Sequence, residues 1–132
     1  MFASRVLFVD DYEDALTMWA IYLEARGYDV TIARDGGAAV TLATEMRPDV
    51  IIMDLVLPGI DGCEAARRMR AMPALADVPI IATTGNTDPR VLQEAYDSGF
   101  DAMMIKPCDP PALVDEIERQ IGARHARATA PA

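Results

Sequence analysis

Asp49-Val50-Ile51-Ile52-Met53-Asp54 is the stretch that decides the fold. Its four apolar residues in a row leave no polar face. A strand apolar on both faces is what the centre of a parallel sheet requires. The run therefore predicts a central strand over Asp49–Asp54, with Asp54 at its carboxyl end. Three other apolar runs end in the same manner. Val6–Val9 leads into Asp10-Asp11, Ile80–Ala82 precedes Thr84, and Met103–Ile105 precedes Lys106. If these strands lie parallel, their polar ends share one edge of one sheet.

The remaining pattern supports that arrangement, because strand and helix signals alternate along the chain. Arg5–Asp10 reads as the first strand. Over Glu13–Arg26, Ala15, Met18, Trp19, Tyr22 and Leu23 follow the i, i+3/i+4 spacing of one helix face, and Gly27 reads as the stop. Tyr28–Ala33 is the second strand. Asp35 caps a helix over Ala38–Met46 that Arg47-Pro48 ends. Pro58-Gly59 and Asp61-Gly62 mark a loop after the central strand. A third helix covers Cys63–Met72, with an exposed basic stretch at Arg67, Arg68 and Arg70. Val78–Thr83 is the fourth strand. Asp88-Pro89 pairs a cap with a proline at the first helical position, opening a fourth helix that Gly99 stops. Asp101–Ile105 is the fifth strand. Asp109-Pro110 repeats the cap signature before a fifth helix with a Leu113, Ile117, Ile121 stripe and an expected stop at Gly122. Residues 1–122 then form one domain, and residues 123–132 read as a disordered tail.

Five strand–helix units in this order predict a doubly wound α/β fold with helices on both faces of a five-stranded parallel sheet. With five strands the flavodoxin-like order 2-1-3-4-5 is favoured over the Rossmann type. Strands one and three are then neighbours about 4.8 Å apart. Their helices leave on opposite faces, so the crevice at their carboxyl ends is where ligands bind. Topology thus gathers Asp10, Asp11 and Asp54, and brings Thr84 and Lys106 to the same edge.

Composition narrows the function classes. A chain of 132 residues fits one domain and buries roughly 65–70% of its unfolded surface. A net charge of −9 makes a nucleic-acid backbone an unsuitable partner. No apolar run approaches the ~20 residues of a membrane span, and no signal-peptide cleavage pattern follows the first residues, so a cytoplasmic location is expected. Cys63 and Cys108 lack metal-binding spacing and read as two reduced thiols. Met103 and Met104 read as core and His125 as a tail residue without a role.

Three clustered carboxylates repel one another, and a hard divalent cation relieves that repulsion. Mg²⁺ takes oxygen ligands and is usually held by one or two carboxylates plus a phosphate oxygen. A remaining carboxylate can attack phosphorus. Phosphoryl transfer then needs mainly positioning and charge neutralisation, for which Lys106 offers an ammonium and Thr84 a hydroxyl.

The motifs FVDD at 8–11, IIMDLVLPGIDG at 51–62, PIIATTG at 79–85 and IKP at 105–107 occur in that order. By them the chain resembles the receiver domain of two-component response regulators across about residues 4–122, in its stand-alone, chemotaxis-type form. The resemblance implies that Asp54 is the phosphoacceptor, and that Asp10, Asp11, Asp54 and the backbone carbonyl of Val56 hold Mg²⁺. It makes Thr84 the switch hydroxyl, with Thr83 as the rival that spacing to Gly85 and Lys106 disfavours. Lys106 is the phosphate-binding cation, and Lys106-Pro107 is expected to be cis. The implied donor is a histidine kinase or histidine phosphotransfer protein. The implied output partner meets a surface of helix four, strand five and helix five. On this reading the chain is a signal switch in a phosphorelay and not an enzyme with turnover. Rival readings are a degenerate receiver acting as a binding module and a Mg²⁺-dependent aspartyl-phosphate phosphohydrolase. The latter usually places a second acid two residues after its nucleophile, where Val56 stands.

Three positions depart from the family pattern. Met103 stands three before the lysine, where an aromatic is common. Val56 offers no polar group to orient water, so slow self-dephosphorylation is expected. Cys108 follows Lys106-Pro107, where an apolar residue is common.

Overall fold

A computed structural model describes residues 3–129. Five parallel strands, β1 (Arg5–Val9), β2 (Asp29–Ala33), β3 (Val50–Asp54), β4 (Ile80–Thr84) and β5 (Ala102–Ile105), form one sheet in the order 2-1-3-4-5. The helices are α1 (Glu13–Ala25), α2 (Gly36–Met46), α3 (Gly62–Arg70), α4 (Pro89–Ser98) and α5 (Pro110–Thr129), with a 3₁₀ turn at Pro73–Leu75. Every residue of β3 is buried, as its unbroken apolar run demands for a strand covered on both faces.

Side-chain alternation divides the interior into two cores. Val6 and Phe8 of β1 and Val50 and Ile52 of β3 pack with Leu16, Trp19 and Leu23 of α1 and with Leu113 and Ile117 of α5. Leu7, Val9, Ile51 and Met53 point the other way, onto Ala39 and Ala43 of α2, Ala65, Ala66 and Met69 of α3 and Ala95 of α4. The small residues of α2, α3 and α4 let those helices approach the sheet closely. The large side chains of α1 and α5 fill the opposite layer.

Caps follow the side-chain chemistry. Asp35 accepts from the Ala38 amide, Asp61 from Glu64, and Asp88 from Arg90. Gly99 ends α4 in the left-handed region at φ 118°, a conformation that costs glycine nothing. Asp61 is therefore a helix cap and not merely a loop marker.

Two expectations are corrected. Helix α5 runs through Gly122 to Thr129, so neither the stop at Gly122 nor a tail over 123–129 holds; residues 130–132 lie outside the described residues. A single glycine costs a helix only about 1 kcal/mol. Ala123, Arg124, Ala126, Arg127 and Ala128 favour helix, and Arg124 reaches Asp77 at 3.3 Å. Arg70 is likewise not part of a solvated basic face. Its side chain is 20% exposed and pairs with Asp101 at 2.7 Å. It also donates to the carbonyls of Leu75 at 2.9 Å, Val78 at 2.6 Å and Gly99 at 2.9 and 3.0 Å. Arg67 and Arg68 do lie outside, paired with Glu64.

Candidate functional site

Register sets the site. Val9 of β1 is the Cα partner of Met53 of β3, so the next residue on each strand, Asp10 and Asp54, reaches the same level of the sheet edge. Asp11 follows Asp10 onto the loop before α1. One carboxylate oxygen from each of Asp10, Asp11 and Asp54 lies within 4.8 Å of the others. Asp10 and Asp54 are buried and Asp11 is exposed.

Lys106 enters from the end of β5. Its Nζ lies 2.6 Å from Asp54 Oδ2 and 3.2 Å from Asp10 Oδ2. The Lys106 amide donates to the Thr84 carbonyl at 2.8 Å, and the Lys106-Pro107 peptide is cis, as expected from the sequence. Burial works against the ammonium charge. The hydrogen bond and charge of Asp54, then those of Asp10, outweigh burial and hold the lysine above its usual pKa.

The carboxylates are oriented by backbone amides. Asp54 Oδ1 accepts from the Val56 amide at 3.0 Å and Asp10 Oδ1 from the Tyr12 amide at 2.9 Å. The start of α3 packs directly behind Asp54. The Gly62 amide donates to the Leu55 carbonyl at 2.9 Å, and a Cβ at Gly62 would run into the Asp54 carbonyl oxygen. Sequence reading took Gly62 for a turn glycine; the signal it carries is close approach of two backbones.

Thr83 and Thr84 point to opposite layers. Thr83 is the Cα partner of Asp54 and by alternation shares the α1–α5 face with Ile81. Thr84 shares the other face with Ala82, is buried, and accepts from the Asn86 amide at 3.0 Å. The structure thus brings Asp10, Asp11, Asp54 and Lys106 into direct association, with Thr84 beside them. Val56 is 73% exposed at the rim.

Residues 6–118 match the family model of the response regulator receiver domain. The chain belongs to that family.

Among solved receivers, the chemotaxis response regulator CheY4 of Vibrio cholerae is 32% identical, with a TM-score of 0.85 over 89% of this chain and 98% of that one. The receiver domain of the sensor histidine kinase PA1611 of Pseudomonas aeruginosa PAO1, solved with a magnesium ion coordinated in its active-site cleft, is 34% identical. Its TM-score is 0.85 over 91% of this chain and 98% of that one. The DNA-binding response regulator MtrA of Mycolicibacterium smegmatis is 35% identical over 118 residues, 89% of this chain and 50% of the relative. The chain spans about half the length of the first such regulators it matches. Its described residues are taken up by the receiver fold, with no nucleic-acid-binding domain among them, and no described helix is long and apolar enough to cross a membrane.

The receiver's donor set consists of carboxylate oxygens, three negative charges against one ammonium. That chemistry fits a hard divalent cation. Cys63 and Cys108 are free thiols outside the cluster, and burial pushes both up from the ordinary thiol pKa. They are accordingly poor nucleophiles at neutral pH.

Proposed function

We propose that this receiver takes a phosphoryl group onto Asp54 from a phosphohistidine on a histidine kinase or phosphotransfer protein. The observation that supports this most strongly is the Asp54 carboxylate held at 2.6 Å by Lys106, with two more carboxylates within 4.8 Å. Asp10, Asp11, Asp54 and the Val56 carbonyl would hold Mg²⁺, which supplies charge neutralisation at the phosphoryl oxygens. A carboxylate oxygen of Asp54 forms the new bond to phosphorus as the P–N bond breaks. The donor imidazole keeps that electron pair and takes a proton from solvent. Lys106 is freed from Asp54 to pair with the new phosphoryl oxygens. Thr84 exchanges its contact with the Asn86 amide for a hydrogen bond donated to the same group.

These two movements pull on the ends of β4 and β5. They bias the α4–β5–α5 surface, where Tyr96 and Ile105 are exposed apolar side chains and Met103 is half-buried. Phosphate shifts that surface because it binds one arrangement of Thr84 and Lys106 better than the other. Met103 is unbranched and repacks readily, so it serves where an aromatic is common. Val56 brings no polar atom to the exposed rim, consistent with slow hydrolysis of the acyl phosphate and with a switch in place of a turnover enzyme.

The test is transfer of labelled phosphate from a phosphohistidine donor with Mg²⁺ present. The wild-type chain is expected to take up an acid- and base-labile label, and Asp54→Asn none. A label of that lability persisting on Asp54→Asn refutes the assignment.

A further inference from the structure

Helices α2, α3 and α4 each begin on an aspartate side chain that accepts from a first-turn amide: Asp35, Asp61 and Asp88. Helix α1 does not. Tyr12 stands at its cap position and makes no side-chain cap hydrogen bond. Yet the loop that leads into α1 carries Asp10 and Asp11. Asp10 and Asp54 each accept from a backbone amide and from Lys106. Asp11 is exposed and has neither donor among the described residues, so its place is set by the loop alone. That loop is tied from β2. Arg34, the residue after the strand, forks onto Glu13, the first residue of α1. Its Nε donates to Glu13 Oε2 at 2.7 Å and its Nη2 to Oε1 at 2.8 Å, joining residues 21 apart in the chain. Arg34 itself is set firmly. The Ala33 carbonyl before it accepts from the Asp10 amide at 3.2 Å, and Asp35 after it caps α2. Residues 10 and 13 are therefore both fastened to the end of β2, with Asp11 between them.

On the Mg²⁺ reading of the acidic cluster, from which this follows, we propose that Arg34 and Glu13 are positioning residues for Asp11. Their fork holds the loop in the arrangement that receives the cation. Arg34, although positively charged, thereby raises the affinity of the cluster for Mg²⁺. A bidentate pair between a guanidinium and a carboxylate fixes direction as well as distance. Both side chains are more than half exposed, so the pair adds little to stability. Its leverage lies in the ligand it supports, because groups that orient a metal ligand alter metal affinity without touching the ion. Point charges alone demand the opposite sign. A guanidinium beside a cation site repels the cation, so deleting Arg34 would then tighten binding.

Thermal melts of the full chain over a Mg²⁺ series, starting in chelator, read two quantities. The chelator melt gives the stability of the metal-free protein, and the rise of Tm with Mg²⁺ gives the affinity. Arg34→Gln is expected to weaken Mg²⁺ binding about fivefold, the upper end for an exposed pair. Glu13→Gln/Arg34→Gln keeps the net charge of the pair at zero, so point charges predict wild-type affinity. The fork predicts an affinity within about twofold of Arg34→Gln, since the bond is already lost there. Arg34→Lys, which keeps the charge without the planar fork, is expected to fall between the wild type and Arg34→Gln. Unchanged or tighter Mg²⁺ binding by Arg34→Gln overturns the proposal, even where its melt in chelator falls, because the pair is then structural only. Wild-type affinity in the double variant overturns it as well. A wild-type Tm that does not respond to Mg²⁺ removes the reading of the cluster together with this one, whereas a variant without effect removes this one alone.

Discussion

Replacing Lys106 by methionine separates the electrostatics of the cluster from its chemistry. Lys106 is bonded to two carboxylates, at 2.6 Å to Asp54 and 3.2 Å to Asp10, which are 11% and 4% exposed. Removing one partner of a buried pair costs about 3–5 kcal/mol, because the other charge is left unpaired. The Lys106 side chain is 38% exposed, so solvent screens part of that, and about 2 kcal/mol is expected without metal. For a domain of this size that is a fall of about 8 °C in Tm. The same ammonium repels a divalent cation held by the cluster by about 1–2 kcal/mol even at the dielectric of water. Lys106→Met is therefore expected to bind Mg²⁺ about tenfold more tightly. At saturating Mg²⁺ the tighter binding returns about 1.4 kcal/mol of stability, closing most of the gap. The assay is a pair of thermal melts for each protein, in chelator and in saturating Mg²⁺. A gap that Mg²⁺ leaves unchanged, or no gap in chelator, refutes the reasoning.

Gly62→Ala is expected to cost about 1–3 kcal/mol and to slow phosphotransfer, since the added methyl forces the Asp54 carbonyl away from α3; melts and transfer rates measured on one preparation check it. Arg70→Met, which strips the carbonyls of Leu75, Val78 and Gly99 of their donor, should cost about 3 kcal/mol in urea unfolding, and a loss below about 1 kcal/mol would contradict that account. Burial first, and the Glu118 carboxylate second, push Tyr28 from 10.0 up to about 12. Its neutral form is thus favoured in the folded state, and this contribution to stability is present below pH 10 and lost as pH rises through about 12. Ultraviolet titration of phenolate absorbance should show one late tyrosine, moved earlier by Glu118→Gln.

What the sequence could and could not disclose follows from the range of the interactions. The convergence of Asp10, Asp11, Asp54 and Lys106 was legible because apolar runs mark strands and parallel strands share an edge. No residue had to be placed more finely than one strand end. The order 2-1-3-4-5 was legible because strand–helix alternation leaves few topologies, and resemblance to receivers pointed to the same one. Arg70 was misread because periodicity places it on an outer face. Five of its six side-chain hydrogen bonds go to carbonyls 5 to 29 residues away and the sixth to Asp101, beyond any local pattern. Helix α5 was cut short because Gly122 outweighed the helix formers after it. Gly62 hid among turn glycines, since close approach to Asp54 depends on how α3 docks.

The two threonines at the end of β4 face different layers, each covered by its own helices. The sheet between them is a partition: side chains of the α1–α5 layer and the α2–α4 layer pack in separate cores. Distant substitutions without shared partners add independently. A change of surface on one layer consequently leaves the other's packing as it was. The α4–β5–α5 surface takes one helix from each layer, so whatever seats there spans the seam between the two cores.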